Sequence, residues 1–156
     1  MGKIPAIKFV TSLLKTVLVC LLATLLLRAV AHAQTAEPAM VVIAHPGTSE
    51  ETIPRASLRA IVGMRLHRWP QDTPVNVFVR AADATEHATF SKTVLQVFPH
   101  QLRMAWDRQV FSGQGQYPEQ VASAQEMLSR VAATPGAIGY VKASEVNQYV
   151  RVLKIR

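Results

Sequence analysis

Arg80 closes the run Val75-Asn76-Val77-Phe78-Val79-Arg80 and is followed within six residues by Asp83, Thr85 and Glu86. A guanidinium, a hydroxyl and a helix start brought to one point are the parts of an anion site. The guanidinium offers paired planar donors, and a first helical turn offers free backbone N–H groups and the positive end of a dipole. Arg80 and Thr85 are therefore the candidate anion ligands. Little else suggests chemistry: no paired carboxylates and no nucleophile–base–acid set assemble, so no enzyme is expected. His45, His67, His87 and His100 are scattered, with no i, i+4 pair and no cysteine beside them, so no metal site is expected either. Ser112-Gly113-Gln114-Gly115 follows a helical pattern rather than a strand and lacks a neighbouring lysine, which leaves it a plain connector. Nothing calls for a cofactor.

The elements that must position Arg80 follow from periodicity. Val75, Val77 and Val79 alternate with more polar neighbours, the pattern of a strand with one buried face. Asp83 with Glu86 three residues on reads as a capping box opening a helix that buries Phe90, Val94, Val97 and Phe98. Upstream, the continuous apolar run 39–44 is expected as a strand buried on both faces of a parallel sheet. His45-Pro46-Gly47-Thr48-Ser49 is a loop. Residues 54–63 read as a helix with Leu58, Ile61 and Val62 inward and Gly63 as its stop. Downstream, Pro99 opens a helix carrying Leu102, Ala105, Trp106, Gln109 and Val110 on one side, and residues 118–132 read as another, with Val121, Ala124, Leu128 and Val131 inward. Thr134-Pro135-Gly136 turns the chain into a strand at 137–141, and 150–155 is a last strand. This is an α/β layer. Arg55, Arg59, Arg65 and Arg68 form a basic run read as a solvated face.

Residues 1–33 read as a secretory signal peptide. Lys3, Lys8 and Lys15 precede an apolar run at 17–27, and Ala31-His32-Ala33 puts small residues at the −3 and −1 positions of a cleavage before Gln34. The run is short for a bilayer span, which disfavours an uncleaved anchor. Cys20 lies inside this segment. The remainder, residues 34–156, is 123 residues long and makes one domain without cysteine, which excludes a cysteine nucleophile. The whole chain carries 17 basic against 10 acidic residues; without the signal's four basic residues the balance falls from +7 to +3. An exported chain at +3 is not expected to bind nucleic acid, nor a membrane once the signal is removed.

Leu58-Arg59-Ala60-Ile61-Val62-Gly63, Arg68-Trp69-Pro70, Arg80 ten residues before Phe90, Trp106, Phe111-Ser112-Gly113 and Thr134-Pro135-Gly136-Ala137-Ile138-Gly139-Tyr140-Val141 occur in this order. Together they resemble the second lobe of the periplasmic phosphate-binding proteins of ABC uptake systems. The resemblance spans roughly residues 40–155. It implies an α/β fold, a single lobe of the type 2 periplasmic-binding-protein fold with a small, mostly parallel sheet flanked by helices, and a periplasmic solute-binding role. The family clamps phosphate between two lobes, and this chain has the length of one. The family also follows its arginine with an Asp-x-Ser-Gly-Thr cradle, where this chain has Ala82, Ala84, Thr85 and Glu86. Glu86 sets a carboxylate where an anion would compete for the same donors. Each lost charge-assisted hydrogen bond is worth about 1.5–3 kcal/mol, so the resemblance implies at most a weak, degenerate site for a small oxyanion. Its implied partners are an ABC permease or another envelope protein. The alternative is a periplasmic interaction module without a small ligand, using a face expected to carry His45, Arg80 and Asp83.

Overall fold

A computed structural model describes residues 39–156; the signal reading, Cys20 and the polar lead at 34–38 lie outside the described residues. Six strands form one sheet: β1 (Met40–Ala44), β2 (Thr52–Ile53), β3 (Asn76–Arg80), β4 (Glu119–Val121), β5 (Ala137–Lys142) and β6 (Arg151–Ile155), in the spatial order β2-β6-β1-β5-β3-β4. Strands β3, β4 and β5 pair in parallel, as do β2 and β6, whereas β1 pairs antiparallel with both β5 and β6. Five strands thus point one way and β1 alone runs back. The sheet is mostly parallel, as expected, but the run at 39–44 is its one reversed strand. Its near-continuous burial comes from its central place, with a strand on each edge and helices over the faces.

The helices are α1 (Arg55–Val62), α2 (Thr85–Thr89), α3 (Pro99–Phe111) and α4 (Ala124–Ala133). In α1 the expected Leu58, Ile61 and Val62 are buried. Its left-handed stop falls one residue later than expected, on Met64 (φ 56°), where the Arg65 N–H donates to the Ala60 carbonyl at 2.8 Å. The helix after β3 departs further from its pattern. It starts at Thr85 with Ala84 as N-cap and no side-chain cap, so the Asp83–Glu86 box does not form. It then loosens into a π-helical stretch, Phe90–Leu95, closed by Gln96 in the left-handed region at φ 56°. The wider turn shifts the phase: Phe90, Val94 and Leu95 are buried, Val97 is half-buried, and Phe98 is exposed rather than inward. In α3 only Leu102 and Trp106 are buried.

The expected helix over 118–132 divides in two. Glu119–Val121 pairs with β3 as β4, and α4 begins only after Ser123. Ser123 Oγ accepts from the Glu126 N–H at 3.0 Å, and the Glu126 carboxylate accepts from the Ala122 N–H at 2.7 Å. This reciprocal capping fixes the helix start. β4 covers the edge of β3, and α4 covers the face that alternation left outward, so Phe78 is buried along with Val77 and Val79. Arg130 of α4 lies over the Phe78 ring at 5.2 Å, close enough for a cation–π contact.

Helices cover both faces. On one, α4 lies directly against β5 at Gly139, where a Cβ would run into the Met127 side chain; glycine is what lets the helix come so near. On the other, the Phe90 ring stacks on Tyr140 at 3.8 Å and 6°, and α1 and α3 pack around the π-helical stretch. Two buried indoles peg this arrangement: Trp106 Nε1 donates to the Val62 carbonyl at 2.7 Å and Trp69 Nε1 to the Gly136 carbonyl at 2.9 Å.

Candidate functional site

Parallel pairing brings the carboxyl ends of β3 and β5 to one edge of the sheet, and with them Arg80 and Lys142. Helix α2 begins at the same edge, and the α4 cap follows β4 there, since Val121 sits opposite Arg80. Ligands of open α/β sheets gather at this kind of edge.

Arg80 is half-buried. Its backbone N–H donates to the Tyr140 hydroxyl at 2.9 Å, and that hydroxyl also meets His87 Nδ1 at 2.7 Å. The guanidinium Nε is buried and has no hydrogen-bond partner among the described residues. Glu86, on the first turn of α2, pairs with Lys142 Nζ at 3.1 Å. Its carboxyl is held below the ordinary carboxylate range, first by a hydrogen bond from its own backbone amide and next by Lys142, with Arg80 adding a smaller attraction. Behind this charged rim, burial lowers the pKa of His87 and raises that of Tyr140, the latter partly opposed by the hydrogen bond from the Arg80 N–H. A neutral, buried Tyr140–His87 pair therefore holds the strand end on which Arg80 sits.

Of the residues singled out from sequence, Arg80, Asp83 and Thr85 share this edge, with Asp83 and Thr85 exposed. His45 does not join them. Because β1 is reversed, its end lies at the start of β5, where the His45 N–H donates to the Ala137 carbonyl at 3.0 Å. Four residues of strand, about 13 Å, separate that level from Arg80, so a single face carrying His45 with Arg80 does not exist. Sequence reasoning missed Lys142, Tyr140 and His87 as parts of the site. Lys142 was reachable, since it ends the Gly139-Tyr140-Val141 strand as Arg80 ends its own. Tyr140 and His87 needed the register.

No family model matches the chain, and no curated protein does. Solved structures match its fold. The chain aligns with an ABC-type phosphate transport receptor from Vibrio cholerae at a TM-score of 0.59 and 15% identity, over 74% of this chain and 45% of that one. It aligns with a protein from Clostridium perfringens assigned as a phosphate ABC transporter substrate-binding protein, solved with bound phosphate, at 0.61 and 17%, over 74% and 44%. It aligns with PstS from Borrelia burgdorferi at 0.59 and 19%, over 76% and 47%. The chain thus spans less than half the length of each of these three structures. The likeness shows the fold: a mixed α/β single lobe of the periplasmic-binding-protein type, with helices flanking a six-stranded sheet.

Proposed function

We propose that this chain is an exported, non-catalytic lobe of the solute-binding type whose oxyanion seat survives in outline at Arg80 and Thr85, joined by Lys142, and is filled by its own carboxylate. The observation that carries this reading is the Glu86–Lys142 ion pair at 3.1 Å, at the edge where Arg80 ends its strand. A free oxyanion entering there meets a tethered competitor that already holds a backbone amide and the lysine. Binding of phosphate is therefore weak, with a dissociation constant no tighter than about 1 mM, or roughly −4 kcal/mol. The names of the structural neighbours support a transport context, with an ABC permease or another envelope protein as the partner.

Calorimetry with phosphate and with sulfate at low salt tests the reading. The wild type should bind either only at millimolar concentration, and Arg80→Ala should remove the residual heat. Glu86→Thr, which withdraws the competing charge and returns a hydroxyl, should tighten binding at least tenfold. A micromolar wild-type constant abolished by Arg80→Ala would overturn the filled-seat reading. A second reading, an interaction module without a small ligand, is favoured by the same self-satisfied pair together with the exposed Asp83 and Thr85 beside it. If Glu86→Thr gains no oxyanion affinity, this second reading stands.

A further inference from the structure

Two hollows lie side by side where the end of α1, the close of the π-helical stretch and the start of α3 meet. One, of about 230 Å³, is lined by the apolar Leu95, Leu102 and Ala105 and by Arg59 and Arg65. The other, of about 440 Å³, is lined by Lys92, Gln96 and Phe98. Val97 and Gln101 line both, so the two make one open groove. The left-handed turn at Gln96 leaves Val97 half-buried and Phe98 58% exposed at the rim. Met104, three residues on from Gln101 along α3, is 61% exposed. An exposed phenyl ring and thioether beside an apolar lining have the composition of a protein contact rather than of a solvated face.

The groove's charge is one-sided. Arg59, Arg65 and Lys92 line it, and no aspartate or glutamate does. The chain has no acid between Glu51 and Asp72 or between Glu86 and Asp107, the two stretches that build the groove. None of the three cations pairs with an acid among the described residues. Arg59 is held in place by uncharged acceptors alone: its Nε donates to the Leu95 carbonyl at 2.5 Å and its Nη2 to Gln96 Oε1 at 3.3 Å. Asp107, farther along α3, is already engaged by Arg103 and the Tyr117 hydroxyl. A second copy of the chain would bring like charges together here, and a flat lipid surface does not reach into a concave apolar lining. From the groove, its three uncompensated cations and the exposed Phe98, we propose that this face docks an acidic segment of a partner protein. An apolar side chain of that segment sits over Val97 and Leu102, with carboxylates toward Arg59, Arg65 and Lys92. The groove shares no residue with the Arg80 edge and would stand if that edge bound nothing.

Selection of a phage-displayed random dodecapeptide library against the purified protein at low salt tests it. Enriched sequences should set several acidic residues around one or two large apolar ones, and selection against the double variant Arg65→Glu, Lys92→Glu should lose them. A synthetic peptide of the enriched sequence should shift the amides of Gly63, Leu95, Val97 and Gln101 saturably, while Arg80 and Lys142 stay in place. Arg65→Glu, Lys92→Glu and Phe98→Ser, all at exposed positions, should each weaken its binding at least fivefold with the thermal midpoint retained. Added salt should weaken it too. No enrichment, enrichment without an acidic bias, or unchanged affinity in both charge variants would each overturn the proposal. Two further results would overturn it by assigning the groove elsewhere. One is cosedimentation with phosphatidylglycerol vesicles that the same variants abolish, and the other is a wild-type dimer that Arg65→Glu dissociates.

Discussion

Tyr140 joins elements that no local pattern connects. Its hydroxyl takes the Arg80 N–H and the His87 ring nitrogen, while its ring lies on Phe90. Tyr140→Phe keeps the stacking and leaves two buried polar groups unsatisfied, which should lower stability by about 1–3 kcal/mol, read from urea unfolding. His87 makes a second, separate prediction. Burial sets its folded-state pKa below the ordinary 6.5, so the unfolded chain takes up the proton first as pH falls. Stability should be unaffected by this group well above pH 6.5 and decline below it, down to the folded-state pKa. His87→Gln should flatten that decline in unfolding curves taken between pH 7 and 5. Arg80 was legible because a strand of alternating valines ends on it. His87 was not, since a lone histidine on a helix says nothing of the tyrosine that meets it 53 residues later.

Elements were legible where a stretch obeyed one period throughout. Helix α1 and strands β5 and β6 sit within a residue or two of their expected bounds. Two places broke that rule. Phe90, Val94, Val97 and Phe98 fit a regular helix, but the π-helical stretch inserts extra arc, so Leu95 turns inward and Phe98 outward. Residues 119–121 were absorbed into the following helix because a three-residue strand has no period of its own; the Ser123-x-x-Glu126 capping box was the available signal. Ser123→Ala should lower stability by about 1 kcal/mol, measured by thermal or urea unfolding. Gly136 should be far less tolerant: it holds φ +72°, and a Cβ there would run into the Pro74 carbonyl oxygen. Gly136→Ala should cost more than about 2 kcal/mol. The Gly-Ala-Ile-Gly-Tyr-Val run thus makes physical sense position by position: a left-handed turn, a close helix approach and a buried hydroxyl.

For the molecule as a whole, export is an expectation from the sequence of residues 1–33 alone. Mass spectrometry of the envelope fraction should find a chain starting at Gln34; Met1 retained in the membrane fraction would defeat that expectation. The sheet also separates two surfaces that sequence alone had merged. A chain reader sees one loop after each apolar run and has no means of knowing that β1 is reversed, because strand direction is a property of pairing. If an envelope partner docks at the Arg80 edge, Arg80→Glu should reduce its cross-linked recovery at least severalfold, whereas His45→Ala should not. Equal loss in both variants would place the docking surface elsewhere.

The reversed strand has a practical consequence for handling the protein. Met40 lies opposite Lys142, and β6, antiparallel to β1, finishes toward the same edge, where the Arg156 carbonyl accepts from the Arg55 N–H at 2.9 Å. Residues 40 and 156 of the described domain therefore lie at the same end of the sheet as Arg80. An affinity tag, a fusion partner or a sensor chip attached after residue 156 would sit at the same end of the sheet as Arg80, with β1 and β5 between their strands, and leave the opposite end open to solution. Coupling through the exposed loop at 112–116 would instead leave the Arg80 edge unencumbered, so the choice of attachment decides which of the two surfaces an immobilised-binding experiment can report.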